Sequence, residues 1–378
     1  MYIPFTKPYI TKKEYLFMKT ALQENMLSGD KKWTELCHNY MVSKFNTIKA
    51  LLTTSCSSAL DMTTFLLNLK VGDEVIIPSF NFVSMANSIV ARGATPVFVD
   101  VDKNTLCIDL EDFERKINKN TKAVYPVHYA GISCDMDQLI AIACEHNLFV
   151  VEDAAQAFNA KYKDSCLGTI GDFSCFSFHE TKNITCGEGG ALLINKNEKL
   201  AERAEYIREK GTNRNNFIRG QIDKYTWVDI GSSYLPSDIL AALLYAQFEN
   251  IENNSTLREK NYKLYCDLLK PLEDADYIKL PFIPQYSTTN YHIFYIILDS
   301  KNNRDELMNC LRNKGVMASF HYIPLHLSPM GKKYGKTLGN IENTVYLSDR
   351  QLRLPLYCDL KENEIEYIVD IINTFFNK

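Results

Sequence analysis

The chain has 378 residues, 46% hydrophobic and 23% charged, with a formal net charge of −4. This is the profile of a globular protein long enough for two domains. The small acidic excess and the lack of a long basic run leave no electrostatic footprint for nucleic acid, and no apolar run reaches the ~20 residues of a membrane span.

The eleven cysteines are scattered, odd in number and include no C-x-x-C pair, and the N-terminus "MYIPFTKPYITKKEYLF" lacks the apolar core of a signal peptide. Reduced thiols in a cytoplasmic protein are therefore expected. No HExxH or Cys/His ligand spacing occurs, so no metal centre is expected, although His321 and His326 could lie near one another.

In chain order, "TTSCSSALDMTTFLLNL" (53–69) offers a small-residue turn, Ser55-Cys56-Ser57-Ser58, that opens onto a helix carrying Leu60, Phe65, Leu66 and Leu69 at helical spacing. "DEVIIP" (73–78), "TPVFVDV" (95–101) and "KAVYPVHY" (122–129) read as buried strands separated by helical or polar segments. "MDQLIAIACEHN" reads as a helix leading into a further strand, "LFVVED" (148–153). Continuously apolar strands alternating with helices predict a largely parallel sheet covered on both faces. "CFSF" and "GALLIN" add two strands, and "EKLAERAEYIREKG" (198–211) a helix closed by Gly211.

The segment 236–272 predicts one long helix, or two in line, with Pro236 in a first-turn position. Beyond it, a strand "YHIFYIILD", a helix "RDELMNCLRNKG", a strand "VMASFHYIP" and a helix "ENEIEYIVDIINTFF" predict a smaller domain. The expected division is a large domain over 1–240, then a linking helix and small domain over 241–378.

Ligands bind at the carboxyl ends of strands in open α/β sheets. "LFVVEDAAQ" brings Asp153 to such an end, and Lys182 follows in "FSFHETKNITCGEGG", between two strands. A strand-end carboxylate and a lysine on a later loop are the two groups pyridoxal phosphate requires: an amine for its aldehyde and an anion for its ring nitrogen. The N-terminus of the serine-rich helix suits the cofactor's phosphate, with Ser177 adding a hydroxyl and "GEGG" (187–190) a backbone of close approach.

The segments "SFHETKNITCGEGG", "VVEDAAQA", "IPSFNFVSMANSIVARGATPVFVDVD" and "YIPLHLSPM" resemble the signature segments of the DegT-type sugar aminotransferases, and the resemblance runs from the N-terminus to the last helix. It implies an α/β protein of the fold-type I aminotransferase class, whose large domain holds a mostly parallel, seven-stranded-type sheet between helices beside a smaller C-terminal α/β domain. The implied cofactor is pyridoxal 5'-phosphate, with Lys182 as Schiff-base lysine, Asp153 on the pyridine nitrogen and Gln156 near the ring hydroxyl. Ser177 and the Ser57–Ser58 backbone would take the phosphate, and Phe82 would stack on the ring.

The implied partners are L-glutamate, a nucleotide-linked keto sugar and a second copy of the chain. In the segment matching "GSSYLPSD" the family carries an Asn that reaches the neighbouring subunit's phosphate; Ser233 stands there instead. His128 and His179 are candidates for lining the site. Arg214, Arg219 and Lys224 are candidates for the substrate's diphosphate, and His326 for the sugar nucleotide. Related sugar dehydratases carry His at the lysine position, so Lys182 favours amino transfer.

Overall fold

The computed structural model describes residues 1–25 and 27–377. Its main sheet runs, in spatial order, Lys49–Thr53, Gly190–Ile194, Phe173–Ser177, Phe149–Asp153, Thr121–Val124, Glu74–Pro78, Thr95–Val99 and Lys336–Thr337. Gly190–Ile194 is antiparallel to both neighbours, and every later pairing is parallel. The seven-stranded sheet that the resemblance implies is thus joined by an eighth strand of two residues, given by the C-terminal half of the chain to the edge of Thr95–Val99.

The parallel strands read as unbroken apolar runs because both of their faces are buried. Ile76 joins Val97 and Val124 in the core on one side, while Val75 and Ile77 join Leu60 and Met62 on the other. Each such side chain contributes about 1.5–3 kcal/mol by leaving water. Only Thr121–Val124 of the expected strand 122–129 is regular, because Pro126 has no N–H to donate. Lys49–Thr53 was not anticipated from the sequence.

Four chain segments end or begin along one edge of this sheet. Asp153 and Ser177 close neighbouring parallel strands, and Gly190 faces both Thr53 and Ser177 across its two pairings. The helix Cys56–Leu66 starts just past Thr53, capped by Ser55, whose Oγ accepts from the Ser58 N–H at 3.1 Å. Gly190 is required there: a Cβ on it would lie 2.4 Å from the Cys56 nitrogen.

The segment 236–272 forms two helices, Asp238–Phe248 and Ile251–Asp274, and not one. Pro236 precedes the first turn, which Ser237 caps through its hydroxyl. A second core gathers on an antiparallel sheet of Ile278–Lys279, Phe294–Leu298 and Gln351–Leu354, covered by Lys301–Asn313 and Glu362–Phe376. Ile3 packs into this core and bridges to Val316.

"VMASFHYIP" is not a strand. It makes single bridges at Val316 and Ser319 and then runs irregularly, while the strand that the sequence hid is Gln351–Leu354. Among the described residues no helix is long and apolar enough to cross a membrane, and the eleven cysteines are free.

Candidate active site

The sheet edge that gathers Asp153, Ser177 and the start of the Cys56–Leu66 helix opens onto a cavity of about 500 Å³ between the two cores. Ser57, Phe82, Asp153, Gln156, Ser177, His179 and Lys182 all line it. Lys182 sits in the loop between Phe173–Ser177 and Gly190–Ile194. That loop is tied at its base by the Phe178 N–H to the Gly189 carbonyl (2.8 Å) and by the Glu180 N–H to the Gly187 carbonyl (2.8 Å).

Burial drives the Lys182 amine below an ordinary lysine pKa; Cys56 and Asp153 pull it back, and Arg353 pushes it further down. Asp153 is held in place by the Ala155 N–H, which donates to its Oδ1 at 3.0 Å. Burial raises its pKa, against the opposing effect of that bond and of Lys182. A carboxylate raised by burial is one whose charge would be stabilised by a cation placed against it.

Where the Cys56–Leu66 helix meets the cavity, the free donors are backbone groups. Ser55 caps only the Ser58 N–H, so the Cys56 and Ser57 N–H groups remain for an anion at the helix N-terminus. Of the expected Ser57–Ser58 pair, Ser57 lines the cavity. The Ser58 N–H is engaged by the cap, and its hydroxyl turns to Thr54 at 2.7 Å. Phe82 is 56% exposed at the cavity mouth, so its ring face is open. The donor set therefore fits pyridoxal phosphate: an anion cradle, a buried carboxylate and a depressed lysine amine on the wall of one cavity.

Gln156 commits both amide atoms to the protein. Its Oε1 accepts from the Ala130 N–H (2.7 Å), and its Nε2 donates to Tyr322 Oη (3.1 Å). The second bond aims the Tyr322 phenol into the cavity, a wall residue not singled out in the sequence. His292, His321 and Arg353 complete the wall on the C-terminal side, and they too were not singled out. Asn183 fixes the His292 tautomer: its amide nitrogen donates to the Asn290 carbonyl, so its Oδ1 accepts from His292 Nδ1 at 2.8 Å. Burial, together with Lys182 and Arg353, holds both histidines well below their usual pKa.

Other candidates lie elsewhere. His128 does not line the cavity; it is buried with Nε2 at 2.9 Å from Glu152 Oε2. Glu152 also accepts from the N–H groups of Gly168, Ile170 and Gly171. Burial would raise this carboxyl, but His128 and those N–H groups hold it below the usual range, and the pair anchors the 168–171 turn. His326 is held by Ser79 Oγ at 2.6 Å, apart from His321, which bonds Tyr129 Oη at 2.9 Å.

Arg219 pairs with Glu205 at 2.5 Å, and Arg214, Lys224 and Ser233 also lie outside this chain's cavity wall. Ser233 bridges to Glu209, and the backbone carbonyl of its neighbour Tyr234 accepts from the Thr54 N–H at 2.9 Å, just before the Cys56–Leu66 helix.

The profile of the DegT/DnrJ/EryC1/StrS aminotransferase family matches residues 9–373. The chain is 31% identical to the spore coat polysaccharide biosynthesis protein SpsC of Bacillus subtilis, over 98% of this chain and 96% of that protein. Among solved structures it is similar to the aminotransferase TlmJ of Streptoalloteichus hindustanus (TM-score 0.92, 26% identity, 100% and 99% of the two chains). It is also similar to the putative sugar aminotransferase Spr1654 of Streptococcus pneumoniae in its PLP form (TM-score 0.91, 25% identity, 100% and 99%).

Proposed function

The chain belongs to the DegT/DnrJ/EryC1/StrS aminotransferase family and is a pyridoxal phosphate-dependent sugar aminotransferase, and on that premise we propose that it moves the amino group of L-glutamate to C4 of a dTDP-4-keto-6-deoxyhexose, giving dTDP-4-amino-4,6-dideoxygalactose. Support for this substrate comes from "YPVHYAG", "FSFHETKN", "REKGTNR" and "KYTWVDIGSSYL", which resemble the corresponding segments of dTDP-4-amino-4,6-dideoxygalactose transaminase. The observation that carries the reaction type is the convergence of Lys182, Asp153 and the Cys56–Ser57 N–H groups on one cavity.

Bound there, pyridoxal phosphate supplies an aldehyde carbon that exchanges amines and a ring that accepts an electron pair. Asp153 would keep a proton on the ring nitrogen, the helix N-terminus would take the phosphate, and Phe82 would cover one ring face. The Lys182 amine would take the proton from the donor's α-carbon and hand it to the cofactor's aldehyde carbon, across the nitrogen that joins the two, which requires the amine to be neutral for part of the cycle.

Purified enzyme given L-glutamate and a panel of dTDP- and UDP-linked 3-keto and 4-keto sugars should aminate the dTDP-4-keto-6-deoxyhexose with a kcat/KM at least about tenfold above the others. A 3-amino or gluco-configured main product, read by NMR, would overturn the substrate assignment.

The proposed working unit is a cytoplasmic homodimer with shared sites. The segment 217–230 exposes Phe217, Ile218, Tyr225, Trp227, Val228 and Ile230, an apolar cluster suited to a second copy. Ser233 and Tyr234 follow it, and Arg214, Arg219 and Lys224, which do not reach their own cavity, would face the partner's. Lys182→Ala mixed with the double variant Ser233→Ala, Tyr234→Ala under subunit exchange should then recover up to about a quarter of wild-type activity, since each hybrid keeps one unmutated site. No recovery despite proven exchange would place both groups in one chain's site.

A further inference from the structure

The loop that carries Lys182 is fastened to the C-terminal half of the chain chiefly at Asn183. The bonds from Phe178 to Gly189 and from Glu180 to Gly187 close the loop on itself, and the Lys182 N–H turns back to the His179 carbonyl at 2.9 Å. Asn183 instead reaches outward three times. Asn254 Nδ2 donates to its carbonyl at 2.7 Å, its own Nδ2 donates to the Asn290 carbonyl at 2.8 Å, and its Oδ1 accepts from His292 Nδ1 at 2.8 Å. A longer bond, 3.4 Å from the Thr185 N–H to Gln247 Oε1, adds a second hold nearby.

The three partners of Asn183 are themselves buried and held. Asn254, Arg258 and Asn261 recur at helical spacing on Ile251–Asp274, so they share one face of that helix. Arg258 donates from Nε to the Tyr291 carbonyl (3.0 Å) and from Nη2 to the carbonyls of His292 (2.7 Å) and Leu356 (3.2 Å). Asn261 Nδ2 donates to the carbonyls of Tyr357 (3.0 Å) and Leu360 (3.1 Å). Asn290 Nδ2 donates to the Gln156 and Phe158 carbonyls, both at 2.9 Å. One helix face therefore holds the segment 290–292, and through it both the loop of Lys182 and the turn that follows Asp153. Polar side chains buried in this way cost stability unless they bond, and these direct their bonds to backbone around the cavity.

A lysine amine ends a flexible four-carbon stem, so where it can act depends on where its Cα is held. We propose that Asn183 is a positioning residue for Lys182: clamped by Asn254, Asn290 and His292, it fixes the peptide that leaves the lysine and so brings the amine to the reacting carbons. Asn183 is not among the residues lining the cavity, so it acts through Lys182 and not by contact with cofactor or substrate. The clamp spans the two cores, which places the lysine from one half of the chain under the control of a helix in the other. This inference rests on Lys182 being the amine that meets the cofactor and is independent of which sugar accepts.

The test uses full-length enzyme stripped of cofactor, as wild type, Asn183→Ala and Asn254→Ala. At saturating pyridoxal phosphate, the Lys182 amine condenses with the aldehyde with loss of water, and borohydride fixes the product for mass measurement. That capture should slow by about 10²-fold in Asn183→Ala and about tenfold in Asn254→Ala. Affinity for pyridoxine 5'-phosphate, which keeps ring and phosphate but has an alcohol for the aldehyde, should stay within about threefold. In holoenzyme the loss should fall on kcat, with KM for L-glutamate moving by less than about threefold. Added to Lys182→Ala, Asn183→Ala should cost less than about threefold more, because no amine is left to place.

Unchanged capture in both variants, or pyridoxine 5'-phosphate affinity falling in step with capture, would overturn the assignment. So would the full loss reappearing in the Lys182→Ala background, which is what a merely structural tether predicts. Turnover retained by Lys182→Ala would refute the lysine as proton carrier, and the capture rate would still decide the placement by Asn183. Asn254→Ala leaves Asn183 intact, so it reports even if Asn183→Ala folds poorly.

Discussion

Lys182→Ala should lower the rate of the L-glutamate half-reaction by about 10⁴-fold or more, while visible-light titration still shows pyridoxal phosphate binding. The loss corresponds to about 5.5 kcal/mol of barrier, the upper range for removing a positioned acid–base group. Retained binding follows because the Cys56 and Ser57 N–H groups, Ser177 and Phe82 lie on other segments of the cavity wall. In wild type the acting amine must be neutral, and its neutral fraction grows as pH rises through its pKa. Burial places that pKa below an exposed lysine's, so the acid limb of the rate profile should lie below the range of a free ε-amine. A small alkylamine added to Lys182→Ala should restore part of the rate without restoring that limb. If the variant keeps more than a tenth of the wild-type rate, Lys182 is not the group that moves the proton.

What could be read in the sequence was what is local. Asp153 and Ser177 follow apolar runs that can only be buried strands, so their placement at one sheet edge follows from the topology of parallel sheets. The turn proposed for the phosphate was visible because Ser55 is a good cap in front of a helical pattern, but the cap's own use of the Ser58 N–H was not. The other wall was hidden. Arg353 stands in a four-residue strand, too short for periodicity to show, and it is brought to Lys182 by the packing of one core on the other. An arginine between two buried leucines with no acid to pair with was the one available signal. His128 misled because a histidine in a strand-end segment has the same local signature whether it faces the cavity or, as here, a buried glutamate.

Asp153→Asn should cut turnover by roughly three orders of magnitude or more, about 4 kcal/mol of barrier, with little change in fold. The amide is nearly isosteric and can still accept the Ala155 N–H at the position of Oδ1, so the strand end keeps its shape. What disappears is the charge. Asp153 is buried and its pKa is raised by that burial, so in the protein alone its ionised form is poorly stabilised. A ring N–H⁺ set against it supplies the missing cation, and each member of the pair then holds the other in its charged form. An amide can accept a hydrogen bond from that N–H, but it does not hold a proton there by charge, and the ring's capacity to draw electrons from the reacting carbon falls. The measurement is single-turnover reaction with L-glutamate, together with a spectral pH titration of the bound cofactor. The ring-nitrogen pKa should fall by several units in Asp153→Asn while the melting temperature moves by only a few degrees. A rate loss below tenfold with an unmoved ring pKa would reduce Asp153 to a strand-end cap and require another anion for the ring nitrogen.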